Sequence, residues 1–284
     1  MRCTRAGGCI FVDHPSGFVH VELQVNLNTH KTLKAKEKFE LTCRQYGVVP
    51  QEYLADNSKI FTSAEFTKNL STFAQIMRFA GVGAHHHNGI AERNIRTIMA
   101  IARTLMLHAA IHWPAIADAT LWPLALHHTV FLVNHVPDQR TGLCSADLFT
   151  KTRYEQRKLN NLHVWGCPVY VLDRMISDRK KLPRWTPRST RTINMGFSPK
   201  QAITVPIVLN PQTGYITPQF HVVFDDWFAT APASVDELPN FNADIWKRMF
   251  CNSTYRYILD DEDQERLIVE TENFESEQDV LSQQ

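Results

Sequence analysis

Cysteine is scarce in this chain and forms no pattern that would bind metal. The six cysteines among 284 residues stand at positions 3, 9, 43, 144, 167 and 251. No two of them have the C-x-x-C spacing of a zinc site, and the chain is too long for a small disulfide scaffold. We therefore expect free, mostly buried thiols.

Long apolar runs are also missing. No segment approaches the roughly 20 apolar residues that cross a bilayer. The first eight residues, Met1-Arg-Cys-Thr-Arg-Ala-Gly-Gly8, are not followed by the apolar core of a signal peptide. These features predict a nuclear or cytoplasmic protein that is neither secreted nor in a membrane. The length suits one large domain or two of ordinary size.

The net charge of +1 conceals two oppositely charged parts. Residues 1–224 hold 26 basic and 14 acidic side chains, a net charge of +12, whereas residues 225–284 hold 4 and 15, a net charge of −11. A basic body suits a polyanionic partner, although an ordinary solvated surface would give the same count. The acidic part predicts a flexible linker or solvated tail over 229–284.

Strands and helices alternate through the first half of the chain. Two strands rich in β-branched and aromatic residues, 9–13 and 17–25, flank a turn and predict a hairpin. Further patterns predict, in order, a helix over 30–46, a strand over 52–55, a helix opened by the capping box 62–65, a strand over 75–80, a helix over 90–110, and a helix over 113–134 interrupted at Pro123. This order predicts an α/β layer domain.

The character of the chain changes after Pro137. Short strands are predicted over 162–172, 192–195, 205–209 and 220–224, and with frequent turns they indicate a small, separate β-rich domain. Between the first two strands, Lys180, Lys181 and Arg184 surround Trp185. Basic and aromatic side chains so interleaved suit a nucleic-acid backbone and stacked bases, and a solvated loop is an equal alternative.

Two carboxylates stand where such a domain would gather its functional groups. Asp56 follows the strand 52–55, and functional groups of open α/β sheets collect at strand ends. Glu92 lies one turn before Ile95 and Met99, on the apolar face of the long helix. We expect this face to pack on the sheet and bring Glu92 near Asp56, across 35 intervening residues. Two carboxylates so placed can share divalent metal ions.

Four ordered segments resemble one known family. Tyr53-Leu-Ala-Asp-Asn-Ser-Lys-Ile-Phe61 resembles the family's strand ending in Asp-Asn-Gly, and His85-His-His-Asn-Gly-Ile-Ala-Glu-Arg93 resembles its His-His-Gln-Asn-Gly-Val-Ala-Glu-Arg element. Leu162-His-Val-Trp-Gly-Cys-Pro-Val-Tyr170 and Asn194-Met-Gly-Phe-Ser198 resemble its two downstream signatures. Residues 8–226 are thus similar to the integrase of a copia-type LTR retrotransposon.

The resemblance implies a ribonuclease-H-like mixed sheet with flanking helices that joins DNA ends to a target by polynucleotidyl transfer. Asp56 and Glu92 match catalytic metal ligands of the family, which uses Mg²⁺ or Mn²⁺. DNA would be the partner, a homo-oligomer the working form, and no small-molecule substrate is implied. Candidate nucleic-acid contacts are Asn57 and Asn88, which would either orient their loops or contact DNA, and Arg93 and Arg96, which would contact phosphates. Solvation of the helix surface is an equal alternative for the two arginines.

The match departs from the family at places that concern catalysis. Ser58 stands where the family has a glycine, which often permits a backbone conformation that serine tolerates poorly. The family's first catalytic aspartate lies on a strand before the 9–25 hairpin, and we expect the chain to begin at about the end of that strand. Asp13 is the nearest acid, but it matches a different position.

These observations predict an integrase catalytic core over 1–137 without its first strand, a small β-rich domain over 138–228 and an acidic tail over 229–284. The expected function is DNA integration by a catalytically incomplete chain. The alternative is a non-catalytic nucleic-acid-binding remnant or a domesticated DNA-binding protein. Metal-dependent strand transfer by the purified protein distinguishes the two.

Overall fold

A computed structural model of the chain describes residues 7–24, 26–79, 89–116, 118–153, 159, 161–177, 181–197 and 204–233. Most of the predicted acidic tail lies outside these residues. The described residues divide into two compact units. Residues 7–12 and 20–92 form the first, and residues 13–19 and 93–233 form the second. The predicted domain boundaries at 137 and 228 stay predictions.

The predicted hairpin is present. β1 (Gly7–Val12) and β2 (Val19–Gln24) are hydrogen-bonded neighbours in a two-stranded sheet. The Asp13 carboxylate accepts hydrogen bonds from Ser16 N at 3.1 Å and from Ser16 Oγ at 2.5 Å. Asp13 therefore serves the turn between the strands, as short polar side chains commonly do.

The rest of the first unit is built from α1 (Thr29–Gln45), β3 (Glu52–Ala55), α2 (Ala64–Thr72) and β4 (Ile76–Phe79). β3 and β4 run parallel. Leu33, Phe66 and Leu70 form the core, with Tyr53, Phe61 and Met77 packed against it. The capping residue of α2 is Ser63, whose Oγ accepts from Phe66 N at 3.3 Å. The predicted cap at Thr62 was wrong by one residue.

β1–β2 and β3–β4 form two separate sheets among the described residues. Parallel strands are ordinarily covered on both faces. Here Leu54 of β3 is 49% exposed and Ile76 of β4 is 58% exposed. The face of the β3–β4 pair that carries Leu54 therefore presents apolar surface.

α3 (Gly89–His112) starts in the first unit and continues into the second. Its buried residues Ile98, Ala102, Met106 and Ala109 recur every three or four positions, so the predicted helical stripe is confirmed. Two 3₁₀ turns follow, Pro114–Ile116 and Ala119–Leu121. In the described part of the chain, no helix is long and apolar enough to cross a membrane.

A helix was predicted over 113–134 with a kink at Pro123, and its predicted start was wrong. α4 spans Trp122–His135, and Pro123 lies in its first turn. Proline is well tolerated there because the amide hydrogens of a first helical turn have no intrahelical partner. Pro123 therefore begins the helix and does not interrupt it.

The second unit continues with α5 (Ser145–Thr150), β5 (Pro168–Leu172), α6 (Arg174–Ser177), β6 (Ser189–Phe197), β7 (Pro206–Leu209), β8 (Ile216–Pro218) and β9 (Val222–Phe224). The five strands form an antiparallel sheet in the order β8-β7-β6-β5-β9. Cys167, Val169, Val208 and Phe228 form a core on one face. The predicted mixed α/β content is confirmed. None of the four described cysteines, Cys9, Cys43, Cys144 and Cys167, forms a disulfide.

Candidate functional site

Asp56 stands directly after β3 and is half-buried, with exposed Asn57 beside it. Its Oδ1 atom accepts a hydrogen bond from Ser58 N at 3.4 Å, which tightens the turn after the strand. Ser58 is not among the described non-glycine residues with positive φ, so the backbone strain expected there is not found. The carboxyl end of a parallel strand is the position at which α/β proteins place ligands.

Glu92 lies in the first turn of α3 and is half-buried. The unpaired amide hydrogens at a helix start favour a negative charge there. Glu92 belongs to the same compact unit as Asp56. That the two carboxylates converge stays a prediction.

The donor atoms around Asp56 suit a hard divalent cation. Mg²⁺ and Mn²⁺ prefer oxygen ligands such as carboxylates and retained waters. Ser58 Oγ, two residues from Asp56, is buried and has no hydrogen-bond partner among the described residues. A buried hydroxyl beside a carboxylate can orient a metal-bound water. The same part of the chain contains no group of three or more His, Cys, Asp or Glu side chains able to hold a metal.

A buried ion pair behind β3 was missed from the sequence. Lys36 of α1 is 1% exposed, and its Nζ lies 2.8 Å from Glu40 Oε1 one helical turn on. Lys36 Nζ also donates to Asn69 Oδ1 of α2 at 2.8 Å. The ammonium lies 5.3 Å from the ring centroids of both Tyr53 and Phe73, within cation–π range.

Glu40 Oε1 accepts two further hydrogen bonds. Tyr53 OH of β3 donates at 2.8 Å, and Gln75 Nε2, just before β4, donates at 2.6 Å. Burial alone would raise the pKa of Glu40. The hydrogen bonds from Lys36, Gln75 and Tyr53 lower the pKa by more than burial raises it, so the net pKa is below the usual range. Burial and the bond to Glu40 raise the pKa of Tyr53 above its usual value. Glu40 is therefore held ionised and Tyr53 neutral.

The side chains predicted to contact nucleic acid are exposed where they are described. Arg93 and Arg96 lie on the exposed side of α3. Lys181 and Arg184 are exposed beside Trp185, which is 92% exposed. Asn88 and Lys180 lie outside the described residues. An exposed indole flanked by cations can stack on bases while the cations meet phosphates.

The two downstream signatures bind each other in the second unit. Asn194 O accepts from Gly166 N at 2.7 Å, and Asn194 Nδ2 donates to Val164 O at 2.9 Å. His163 Nδ1 lies 2.8 Å from Asp226 Oδ2, whose other oxygen accepts from Val164 N at 2.8 Å. These contacts join the segment that enters β5 to β6 and to the segment that follows β9.

The chain is related in sequence to transposon polyproteins. Two curated relatives from Arabidopsis thaliana are retrovirus-related Pol polyproteins, one from transposon RE2 and one from transposon RE1. They are 31% and 30% identical to the chain, each over 140 residues, which is 49% of this chain and 9% of each relative. This relationship confirms the resemblance read from the motifs, and the chain spans about a tenth of these relatives. No protein-family model matches the chain.

Two solved structures are similar at a low level. The catalytic core domain of HTLV-2 integrase in complex with magnesium, in a dimeric form, is 19% identical with a TM-score of 0.36, covering 50% of this chain and 84% of that one. The simian T-cell lymphotropic virus intasome in complex with the PP2A regulatory subunit B56 gamma is 15% identical with a TM-score of 0.40, covering 76% of this chain and 70% of that one. The relationship to transposon polyproteins rests on the sequence.

Proposed function

We propose that this chain is a ribonuclease-H-like core of a retrotransposon integrase, whose function is DNA integration. The observation that carries the proposal is the pair of half-buried carboxylates within one compact unit, Asp56 directly after β3 and Glu92 at the start of α3. The relationship to transposon Pol polyproteins supports it.

Asp56 and Glu92 are proposed to hold Mg²⁺ or Mn²⁺ through their carboxylate oxygens, with Ser58 Oγ orienting a coordinated water. In phosphodiester exchange, such divalent ions activate the attacking hydroxyl and stabilise the leaving oxygen. The residues of the chain supply the negative charge and fix where the ions bind. Asn57, which is exposed beside Asp56, would contact the DNA backbone.

DNA is the proposed partner. Arg93 and Arg96 on α3 would contact phosphates, together with Asn88 from the preceding loop. Lys180, Lys181 and Arg184 would contact the backbone around Trp185 in the second unit. A homo-oligomer is the proposed working form, as the resemblance to retrotransposon integrases implies.

The proposal assigns two carboxylates, and a two-metal site needs further protein oxygens to hold both ions. We therefore propose that the 284-residue chain is catalytically incomplete by itself. The second candidate is a non-catalytic nucleic-acid-binding remnant or a domesticated DNA-binding protein. The exposed Trp185 and its basic neighbours favour this candidate, because binding there needs no metal.

The metal site is tested by titrating the full chain with Mn²⁺ and following backbone amide signals by NMR. Paramagnetic broadening reports binding within a short radius, even when affinity is weak. The amides of Asn57 and Ser58 are expected to broaden first. Asp56→Asn should abolish this effect, and Glu92→Gln should reduce it.

Glu65→Gln, which alters an exposed carboxylate of the same unit, is the matched control and should behave as the wild type. If Asp56→Asn and Glu65→Gln give the same titration as the wild type, the metal assignment fails. DNA binding that survives in all three variants without metal would then favour the non-catalytic candidate.

A further inference from the structure

The Lys36–Glu40 pair is unusual because it is a buried charge pair within a small core. An isolated buried charge is costly, and a pair offsets that cost only with good geometry and further hydrogen bonds. Here both conditions hold. Glu40 Oε1 is reached by Lys36, Tyr53 and Gln75 at 2.8, 2.8 and 2.6 Å.

The network links α1, α2 and β3 to the segment that enters β4. Lys36 and Glu40 lie on α1, Tyr53 on β3 and Asn69 on α2. Gln75 stands immediately before β4, and its Nε2 also donates to Pro50 O at 3.2 Å, just before β3. The loop that enters β3 and the segment that enters β4 are therefore tied to the same carboxylate.

Stability alone does not explain such a network. Buried ion pairs can often be replaced by apolar residues with little loss of stability, and their clearest role is to fix one arrangement among several. Apolar contacts between α1 and β3 could be made at more than one register along the strand. The hydrogen bond from Tyr53 OH to Glu40 Oε1 can be made at only one register, because a hydrogen bond requires a particular distance and direction.

Tyr53 lies on β3, three residues before Asp56, which directly follows the strand. Any shift or tilt of β3 would therefore move the Asp56 carboxylate by a similar amount. β4 is held in register beside it, with Tyr53 opposite Met77 and Ala55 opposite Phe79. Metal coordination tolerates little displacement, because ligand oxygens must lie at fixed distances from the ion.

We infer that Lys36, Glu40 and Tyr53 are positioning residues that set the location of the Asp56 carboxylate for metal binding. The inference rests on the proposed function, because it concerns the same site. The three side chains act through β3 and do not contact the metal.

The test uses the Mn²⁺ titration of the full chain with two variants. Tyr53→Phe removes one hydroxyl and keeps the ring under Lys36. Lys36→Met combined with Glu40→Gln removes both charges with little change in volume. Each is expected to weaken Mn²⁺ binding at Asn57 and Ser58 by roughly 10-fold, as is common when a contact supporting a ligand is lost.

A variant that lowers stability outside the network separates the positioning role from a merely structural one. Phe11 of β1 stacks on Phe39 of α1 at a centroid distance of 4.8 Å, in the same unit but outside the network. Phe11→Leu should lower the unfolding midpoint and leave Mn²⁺ affinity at the wild-type value when measured well below that midpoint.

Failure of the positioning role and failure of the proposed function give different results. If Asp56→Asn abolishes the broadening but the network variants bind Mn²⁺ as the wild type does, the positioning role is wrong and the metal site stands. If Asp56→Asn has no effect, the proposed function itself fails. Equal weakening in Phe11→Leu and Tyr53→Phe would also overturn the positioning role, since general loosening would then account for both.

Discussion

The imidazole of His128 lies against the backbone of Gly196. A β-carbon at Gly196 would stand 3.1 Å from His128 Nδ1, closer than side chains ordinarily approach. Gly196 also has a φ of +90°, in the left-handed region that favours glycine. The glycine of the Asn194-Met-Gly-Phe-Ser198 signature is thus favoured for both space and conformation.

We expect Gly196→Ala to lower the free energy of unfolding by about 2–4 kcal/mol, from the left-handed backbone and from overpacking against His128. Gly214→Ala is the matched control, because Gly214 has a φ of +71° but open space around it. It should cost about 1–2 kcal/mol, the conformational part alone. Urea denaturation of both variants provides the comparison, and equal costs would refute the contact with His128.

His128 should make the second unit sensitive to acid. It is 4% exposed, and burial lowers its pKa from 6.5 to about 4. Below pH 6.5 the unfolded chain binds a proton that the folded chain excludes, so stability falls as pH drops from about 6.5 to about 4. The full loss is about 3 kcal/mol, at 1.36 kcal/mol for each pH unit.

The measurement is urea denaturation of the wild type and His128→Gln at about pH 7.5 and pH 5. Burial also lowers the pKa of His108 and His135, so the wild type minus the variant isolates His128. The free energy of unfolding of the wild type, relative to that of His128→Gln, should be lower at about pH 5 than at about pH 7.5. If the difference in free energy of unfolding between the two proteins does not change with pH, His128 is protonated in the folded state or exposed.

A helix or strand could be predicted from the sequence when its own residues determine it. β3 matched its predicted range because a short apolar run ended at Asp56. β8 and α5 were missed, since each is very short and is held by neighbours rather than by its own pattern. Pro123 was misread because proline can either break a helix or begin one.

The same distinction applies to the residues of the candidate site. Asp56 and Glu92 were predicted because motifs and element ends marked them, and their role at a metal site stays a prediction. Lys36 and Glu40 were missed because a Lys and a Glu four residues apart ordinarily form an exposed pair. The sequence signal that could have identified this buried pair is the position of Lys36 on the helix. Lys36 falls three residues after Leu33 and three before Phe39, both on the buried side of α1. A charged residue within an apolar stripe indicates a buried partner.

Binding to DNA should be electrostatic and show little sequence preference, given the net charge of +12 over residues 1–224. Affinity should fall linearly on a log–log plot against salt, because phosphate contacts release counterions. Lys181→Gln combined with Arg184→Gln should reduce the magnitude of that slope by about 2. Fluorescence anisotropy with a short duplex provides the measurement.

Deleting residues 229–284 should tighten this binding, because the acidic segment competes for the same basic surface. Glu65→Gln, which removes one exposed negative charge elsewhere, is the control and should have little effect. Affinity that does not depend on salt, or that is unchanged by the deletion, would contradict the electrostatic prediction.

The separation of β1–β2 from β3–β4 among the described residues leads to a prediction about strand transfer. The resemblance to retrotransposon integrases implies one more strand, which would lie between these pairs and add a carboxylate. We expect a chain extended upstream to be more stable, since each apolar side chain buried contributes about 1.5–3 kcal/mol against the roughly 5–15 kcal/mol of a typical domain.

We expect the 284-residue chain to lack strand-transfer activity with Mg²⁺ or Mn²⁺ and the extended chain to have it. Asp13→Asn should leave the activity of the extended chain unchanged, because the Asp13 carboxylate is bound to Ser16 in the hairpin turn at 2.5 and 3.1 Å. Asp56→Asn in the extended chain is the positive control and should abolish activity. Robust transfer by the shorter chain that is lost in Asp13→Asn would mean that Asp13 leaves the turn and supplies the first carboxylate itself.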